Sequence, residues 1–149
     1  MALYLGIDIG TSASKGVLID DRCNIVCQAS CGHETDNPCD GWYQHDAEAV
    51  WWGDFCRLSR ELVARSGVNA AQIGCVGLSA LGCDCVPVDT ECNALAPAIL
   101  YGVDARSKPQ IDELLSEYGS DRARELFGHN LCSSVIAPKV LWFKENMPE

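Results

Sequence analysis

The chain has 149 residues, of which 48% are hydrophobic and 21% charged, and its formal net charge is −10. That length and balance suit a globular domain with a sizeable core and exclude a disordered chain. So acidic a chain lacks the basic face that nucleic acid or an anionic membrane surface would require, and neither is expected as a partner.

A phosphate ligand would therefore have to be held by local donors and a metal ion rather than by bulk charge. "MALYLGIDIG" has no basic region ahead of its apolar residues, and no apolar run approaches about 18 residues. A secretory signal and a membrane span are thus not expected, and the chain reads as cytoplasmic. Ten cysteines are present: Cys23, Cys27, Cys31, Cys39, Cys56, Cys75, Cys83, Cys85, Cys92 and Cys132. Without a secretory signal they read as reduced thiols. No Cys-x-x-Cys pair supports zinc. Cys23, Cys27 and Cys31 stand four apart, which places them on one face of a strand as small buried residues.

In chain order, the apolar pattern predicts a buried strand over 3–8, ending at a Gly10 turn, a second strand over 15–20 and a third over 25–30. The short turns between them imply an antiparallel meander. A polar loop follows, with Asp46 as helix N-cap and Glu48 in the first turn. Trp51, Phe55, Leu58 and Leu62 fall on one helical face, predicting a helix over 47–65 that stops near Gly67. "IGCVGLSA" (73–80) reads as a fully buried strand parallel to the first. "CDCVPVD" (83–89) reads as another, pushed to an edge by Pro87. Helical patterns cover 105–118, 120–127 and 137–146. Three strands, a helix and a further strand are the order of a ribonuclease-H-like α/β domain, which is an argument about fold and not about function.

The chemistry concentrates in "GIDIGTSASKG". Asp8 stands near the C-terminal end of the first strand, where α/β sheets place ligands. Gly10 permits a tight turn and the approach of an anion. The amides and hydroxyls of Thr11, Ser12 and Ser14 can donate to phosphate oxygens, and Lys15 adds a point charge. Asp8 fits a phosphate site only with Mg²⁺ between the like charges. The alternative is an ordinary hairpin in which Asp8 caps backbone amides. The spacing matches neither a Walker loop nor a dinucleotide-binding glycine fingerprint.

"GIDIGTSASKGVLID" resembles the first phosphate motif of the actin, hexokinase and heat-shock-70 ATPase superfamily. "GWYQHDAEAVWW", "VGLSALGCDCVPVD", "LAPAILYGVDARS" and "IAPKVLWFKENMPE" stand in the order found in FGGY-family carbohydrate kinases of the xylulokinase-like group. The resemblance implies an incomplete N-terminal ribonuclease-H-like domain spanning 1–149, and ATP with Mg²⁺ as cofactors. It assigns Asp8 to the metal side, and Gly10, Thr11, Ser12 and Lys15 to the β- and γ-phosphates. It lines the sugar pocket with Leu81, Gly82, Cys83 and Asp84, and places Tyr101, Asp104 and Arg106 near a sugar or polyol substrate. Xylulokinases show Gln-Met-His-Gly where this chain has Leu81-Gly82-Cys83-Asp84, so the particular sugar is left open.

The family's catalytic base and second lobe would lie beyond Glu149. The chain alone is therefore expected to be inactive, with bare strands that favour homo-oligomers. Trp42, Trp51, Trp52 and Trp142 read as packing anchors, with Trp42 the best exception. His33, His45 and His129 show no catalytic arrangement, and Lys139 reads as lying on a solvated helix face. Two other readings compete. One is an ATPase activator of 2-hydroxyacyl-CoA dehydratases, with cysteines holding an iron–sulfur cluster. The other is a non-catalytic sugar- or nucleotide-binding module.

Overall fold

The computed structural model describes residues 2–148. The chain divides into two compact units. The first comprises residues 1–35 and 47–81, and the second residues 36–46 and 82–149.

The first unit is a four-stranded sheet with a helix on one face. Strands β1 (Leu3–Ile9), β2 (Ala13–Asp20), β3 (Ile25–Gly32) and β5 (Ile73–Ala80) lie in the order β3-β2-β1-β5. The first three form the expected antiparallel meander, and β5 joins β1 in parallel. The helix expected over 47–65 begins as a π-helical stretch, Ala47–Trp52, and continues as α1 (Gly53–Ser66). It ends at Gly67, whose left-handed φ of 68° lets its amide close on the Val63 carbonyl.

Strand alternation and helical periodicity meet in one apolar core. Leu3, Leu5, Ile7 and Ile9 project from β1 and Leu18 from β2 onto Leu58 and Leu62 of α1, with Trp51 and Phe55 at the margin. Gly16 sets how closely the layers approach, because a β-carbon there would stand 2.8 Å from a Leu62 methyl carbon. Cys27 and Cys31 join this core from β3. Cys23 does not share their face. It lies in the preceding turn with φ 63° and is exposed.

Strand β5 departs from expectation. It is parallel to β1 as predicted, but it is not buried. Helix α1 packs on β1, β2 and β3, and β5 forms the sheet edge. Val76 and Leu78 align with Leu5 and Ile7 on the helix-facing side, yet they are 48% and 64% exposed.

The second unit holds the short strands β4 (Gln44–His45) and β6 (Ala98–Ile99), which pair antiparallel, and helices α2 (Lys108–Tyr118), α3 (Ser120–Phe127) and α4 (Ile136–Asn146). Leu114, Ala123, Leu131 and Val135 form its apolar cluster. The strand expected over 83–89 is absent. Only isolated bridges, Cys85 to Ile99 and Val88 to Ala94, occur there. Pro87 has no amide to donate to a ladder, and tight turns bound the segment, with Cys83 at its start and Cys92 just beyond its end at φ 62° and 66°. No helix among the described residues is long and apolar enough to cross a membrane.

Candidate functional site

The site residues expected from the sequence fall in two groups: Asp8, Gly10, Thr11, Ser12, Lys15 and Leu81 belong to the first unit, and Gly82, Cys83, Asp84, Tyr101, Asp104 and Arg106 to the second. In the first unit, Asp8 and Lys15 are cross-strand partners on β1 and β2, both exposed on the sheet face opposite α1. With Gly6, Ser30, Gly77 and Ser79 they line a groove of about 870 Å³. Glycines at Gly6 and Gly77 keep its floor low beside the Asp8 carboxylate. The hairpin beyond them is closed by the Gly10 amide donating to the Ala13 carbonyl at 3.1 Å. A β-carbon at Gly10 would stand 2.9 Å from that same oxygen, so the turn requires glycine.

Thr11 and Ser12 are exposed at the tip, and their amides make no hydrogen bond among the described residues. Ser14 does not join them. It is fully buried, and its hydroxyl donates to Asp54 Oδ2 at 2.7 Å, because strand alternation points it toward α1.

Asp54 is the centre of a buried polar cluster. His33 Nδ1 lies 2.7 Å from Asp54 Oδ2, and His33 Nε2 lies 3.1 Å from the Gly10 carbonyl. Burial pushes the Asp54 carboxyl up, but hydrogen bonds from Ser14, His33 and Cys31 outweigh it and hold it below its ordinary value. Burial, then the bond to Asp54 and its charge, push the Cys31 thiol up to about 11. Cys31 is thus a neutral S–H donor.

In the second unit, segment 82–85 is held by a lysine. Lys139 is wholly buried, contrary to the solvated position expected, and its Nζ donates to the Cys83 carbonyl at 2.6 Å. That bond pins the left-handed Cys83. Asp84 Oδ1 accepts the Tyr101 amide at 2.6 Å, whereas its Oδ2 is buried with no hydrogen-bond partner among the described residues. Burial raises the Asp84 pKa above its ordinary value, against the Tyr101 amide and the Lys139 charge. Burial likewise lowers Lys139, against Asp84 and its neighbours.

Asp104 and Arg106 are also buried. Asp104 accepts the Tyr43 amide at 2.6 Å, and its carboxylate takes Arg106 Nη2 at 2.9 Å and Nε at 3.0 and 3.1 Å. Arg106 Nη2 also donates to Gln44 at 3.0 Å, and its guanidinium lies 4.2 Å over the Trp42 ring. Trp42 in turn meets Trp142 edge-on at 5.4 Å. The Asp104 carboxylate is therefore directed at Arg106 and the Tyr43 amide. Tyr101, Gly82 and Cys83 are the exposed members of the group.

The model for the FGGY family of carbohydrate kinases, N-terminal domain, matches residues 3–149. The chain belongs to the FGGY family of carbohydrate kinases. It is 30% identical over 158 residues to a xylulose kinase of Bacillus subtilis and 29% identical over 149 residues to that of Lactococcus lactis. It is 26% identical over 150 residues to a glycerol kinase of Chloroflexus aggregans. All of this chain aligns with each of them, and it spans 29 to 30% of their length. Among solved structures, the xyloylose (xylulose) kinase of Brucella ovis matches 98% of this chain, and 30% of its own, at a TM-score of 0.86 and 29% identity. Plasmodium falciparum glycerol kinase, solved with ADP, matches 99% of this chain and 29% of its own at 0.87 and 24%. The ribonuclease-H-like reading of the fold thus stands, in the form found in these kinases.

Within this FGGY chain, sequence reasoning missed His33, Asp54 and Lys139. A histidine and an aspartate 21 residues apart carry no periodic signal that joins them. Lys139 had one signal, the apolar setting "IAPKVLWF".

Proposed function

We propose that this chain supplies the phosphate-binding turn and part of the carbohydrate pocket of an ATP-dependent kinase acting on a pentulose or a related sugar or polyol. The observation that carries this reading is the hairpin tip, where exposed amides at Thr11 and Ser12 stand beside Asp8 and Lys15 in an end-to-end FGGY match. Thr11 and Ser12 donate to the β- and γ-phosphates and Lys15 offsets their charge. A lone exposed carboxylate at Asp8 fits Mg²⁺, which keeps most of its shell for water and phosphate oxygens and, when bound, neutralises charge on the transferring group. Gly82, Cys83, Asp84 and Tyr101 line the sugar side. The unpartnered Asp84 Oδ2 supplies an acceptor for a hydroxyl. Asp104 and Arg106 hold that side in shape, since each is already engaged by protein groups.

Phosphoryl transfer needs many groups positioned at once. The catalytic base and the remaining nucleotide contacts come, in this proposal, from a second lobe that also covers the β5 edge. A coupled assay of ADP release over a panel of ketopentoses and polyols tests this. The longest natural form is expected to turn over at least one of them, and Asp8→Asn to reduce its kcat by roughly 100-fold. No ADP release with any member, or unchanged kcat in Asp8→Asn, sinks the reading. Turnover by the 149-residue chain alone sinks the division of labour.

A further inference from the structure

The segment after β3 grips the phosphate turn by its carbonyls. The Gly10 carbonyl accepts from His33 Nε2, the Thr11 carbonyl from Thr35 Oγ1 and the Ser12 carbonyl from the His33 amide, each at 3.1 Å. A trans peptide points its C=O and the following N–H in opposite directions. Holding the carbonyls of Gly10 and Thr11 toward residues 33–35 therefore turns the amides of Thr11 and Ser12 the other way, out of the protein. Those are the two amides left open at the tip.

Both nitrogens of the histidine ring lie within hydrogen-bond distance of an oxygen. A backbone carbonyl only accepts, so Nε2 donates to Gly10. Asp54 Oδ2 already accepts from Ser14, so Nδ1 donates as well. Both ring nitrogens thus face oxygen acceptors, the arrangement that suits a doubly protonated ring. The groups facing it include the Asp54 carboxylate from α1 and, through that carboxylate, Ser14 of β2 and the Cys31 thiol of β3. His33 and Asp54 are 6% and 3% exposed, so this ion pair is shielded from water directly behind an anion-binding turn.

We propose that His33 and Thr35 are positioning residues for phosphate binding. They aim the Thr11 and Ser12 amides at the nucleotide by holding the carbonyls of the turn, and Asp54 anchors the charged His33 ring. This rests on reading the turn as the phosphate site.

The test is ¹⁵N NMR on the 149-residue chain titrated with Mg·ATP, comparing wild type with His33→Ala and Thr35→Val. The wild-type ring is expected to show two protonated nitrogens, and Mg·ATP is expected to shift the Thr11 and Ser12 amides. The apparent affinity should fall about 10-fold in His33→Ala and about 3-fold in Thr35→Val, with the Leu58 and Leu62 methyl signals unmoved, as the loss of one aligning bond or two would give. Should His33→Ala unfold, Thr35→Val carries the comparison. Wild-type affinity in the folded variants overturns the brace, and a ring with one protonated nitrogen overturns the charged anchor. Two ring N–H signals in a wild type whose Thr11 and Ser12 amides ignore Mg·ATP overturn the phosphate reading, and with it the purpose of the brace.

Discussion

The two units are built on different principles. The first is an apolar sandwich of β1–β3 on α1, with Ser14, His33 and Asp54 clustered next to the hairpin tip and Asp20 holding the turn at the far end of β2. The second has a smaller apolar cluster and buries Asp104, Arg106, Gln110, His45 and Lys139. In the first unit shape is set by packing, and polar groups act on the two turns that flank β2. In the second, charges replace packing as the means of fixing loops, so its geometry depends on every partner being present.

The largest effects should come from breaking that second arrangement. Asp104→Ala leaves the buried Arg106 guanidinium without its carboxylate and the Tyr43 amide without its acceptor. A loss of about 4 kcal/mol is expected, as for other broken buried pairs, measured by urea unfolding followed at Trp42 and Trp142 fluorescence. A loss below about 1 kcal/mol would show that packing, not charge, holds this unit. Leu62→Ala probes the opposite principle. Leu62 is fully buried against Gly16, and its truncation should cost about 3 kcal/mol. An intact first unit in that variant would mean that the sandwich does not depend on its helix.

The elements that packing alone dictates were readable in advance. β1, β2, β3, α1, α2, α3 and α4 announce themselves by alternation or by the i, i+3, i+4 pattern. The expected phosphate residues Asp8, Gly10, Thr11, Ser12 and Lys15 do gather at one hairpin end. What periodicity cannot show is which segment covers a strand. "IGCVGLSA" is apolar because it expects a cover, yet α1 stops short of it and Val76 and Leu78 remain bare. Nor can periodicity show pairings between distant polar residues. Ser14, Asp54, His33, Lys139 and Cys83 meet through tertiary geometry alone. The 83–89 segment misled for a related reason. Its alternation is strand-like, but positive φ at Cys83 and Cys92 and the missing amide of Pro87 leave only isolated bridges.

Acid should separate the units by sign. Asp54 is held below its ordinary value of 3.8, so its stabilising contribution is complete above that value and is lost as pH falls through the lower, folded pKa. Asp84 is raised above 3.8, so the folded state favours its proton. Its unfavourable charge is relieved as pH falls through the raised value, before Asp54 begins to titrate. Following Leu58 and Leu114 methyl signals through an acid titration should therefore show the second unit unharmed, or firmer, in the interval where Asp84 takes up its proton. The first unit should loosen only at lower pH. Asp84→Asn should abolish the first change and leave the second. Simultaneous loss of both sets of signals above pH 3.8 would contradict the assignment of opposite shifts.

The smallest effect on stability should accompany the clearest effect on association. Strand β5 carries no charge and no proline, has one free edge, and leaves Val76 and Leu78 exposed on the side where α1 ends. Natural edge strands blunt such a surface with lysine or proline, and this one has neither. Val76→Lys and Leu78→Lys place charge on exposed positions, so the fold should change by no more than about 0.5 kcal/mol. In sedimentation velocity the wild-type chain should self-associate with rising concentration, and the double variant should run as a monomer. The apolar face is then what joins the copies, and the net charge of −10 is too weak to keep them apart at moderate salt, where repulsion fades beyond about 8 Å. A wild type that stays monomeric at high concentration would mean that the backbone edge and two bare side chains do not suffice for pairing. The sandwich would then tolerate an uncovered strand in the way the second unit does not tolerate an unpaired charge.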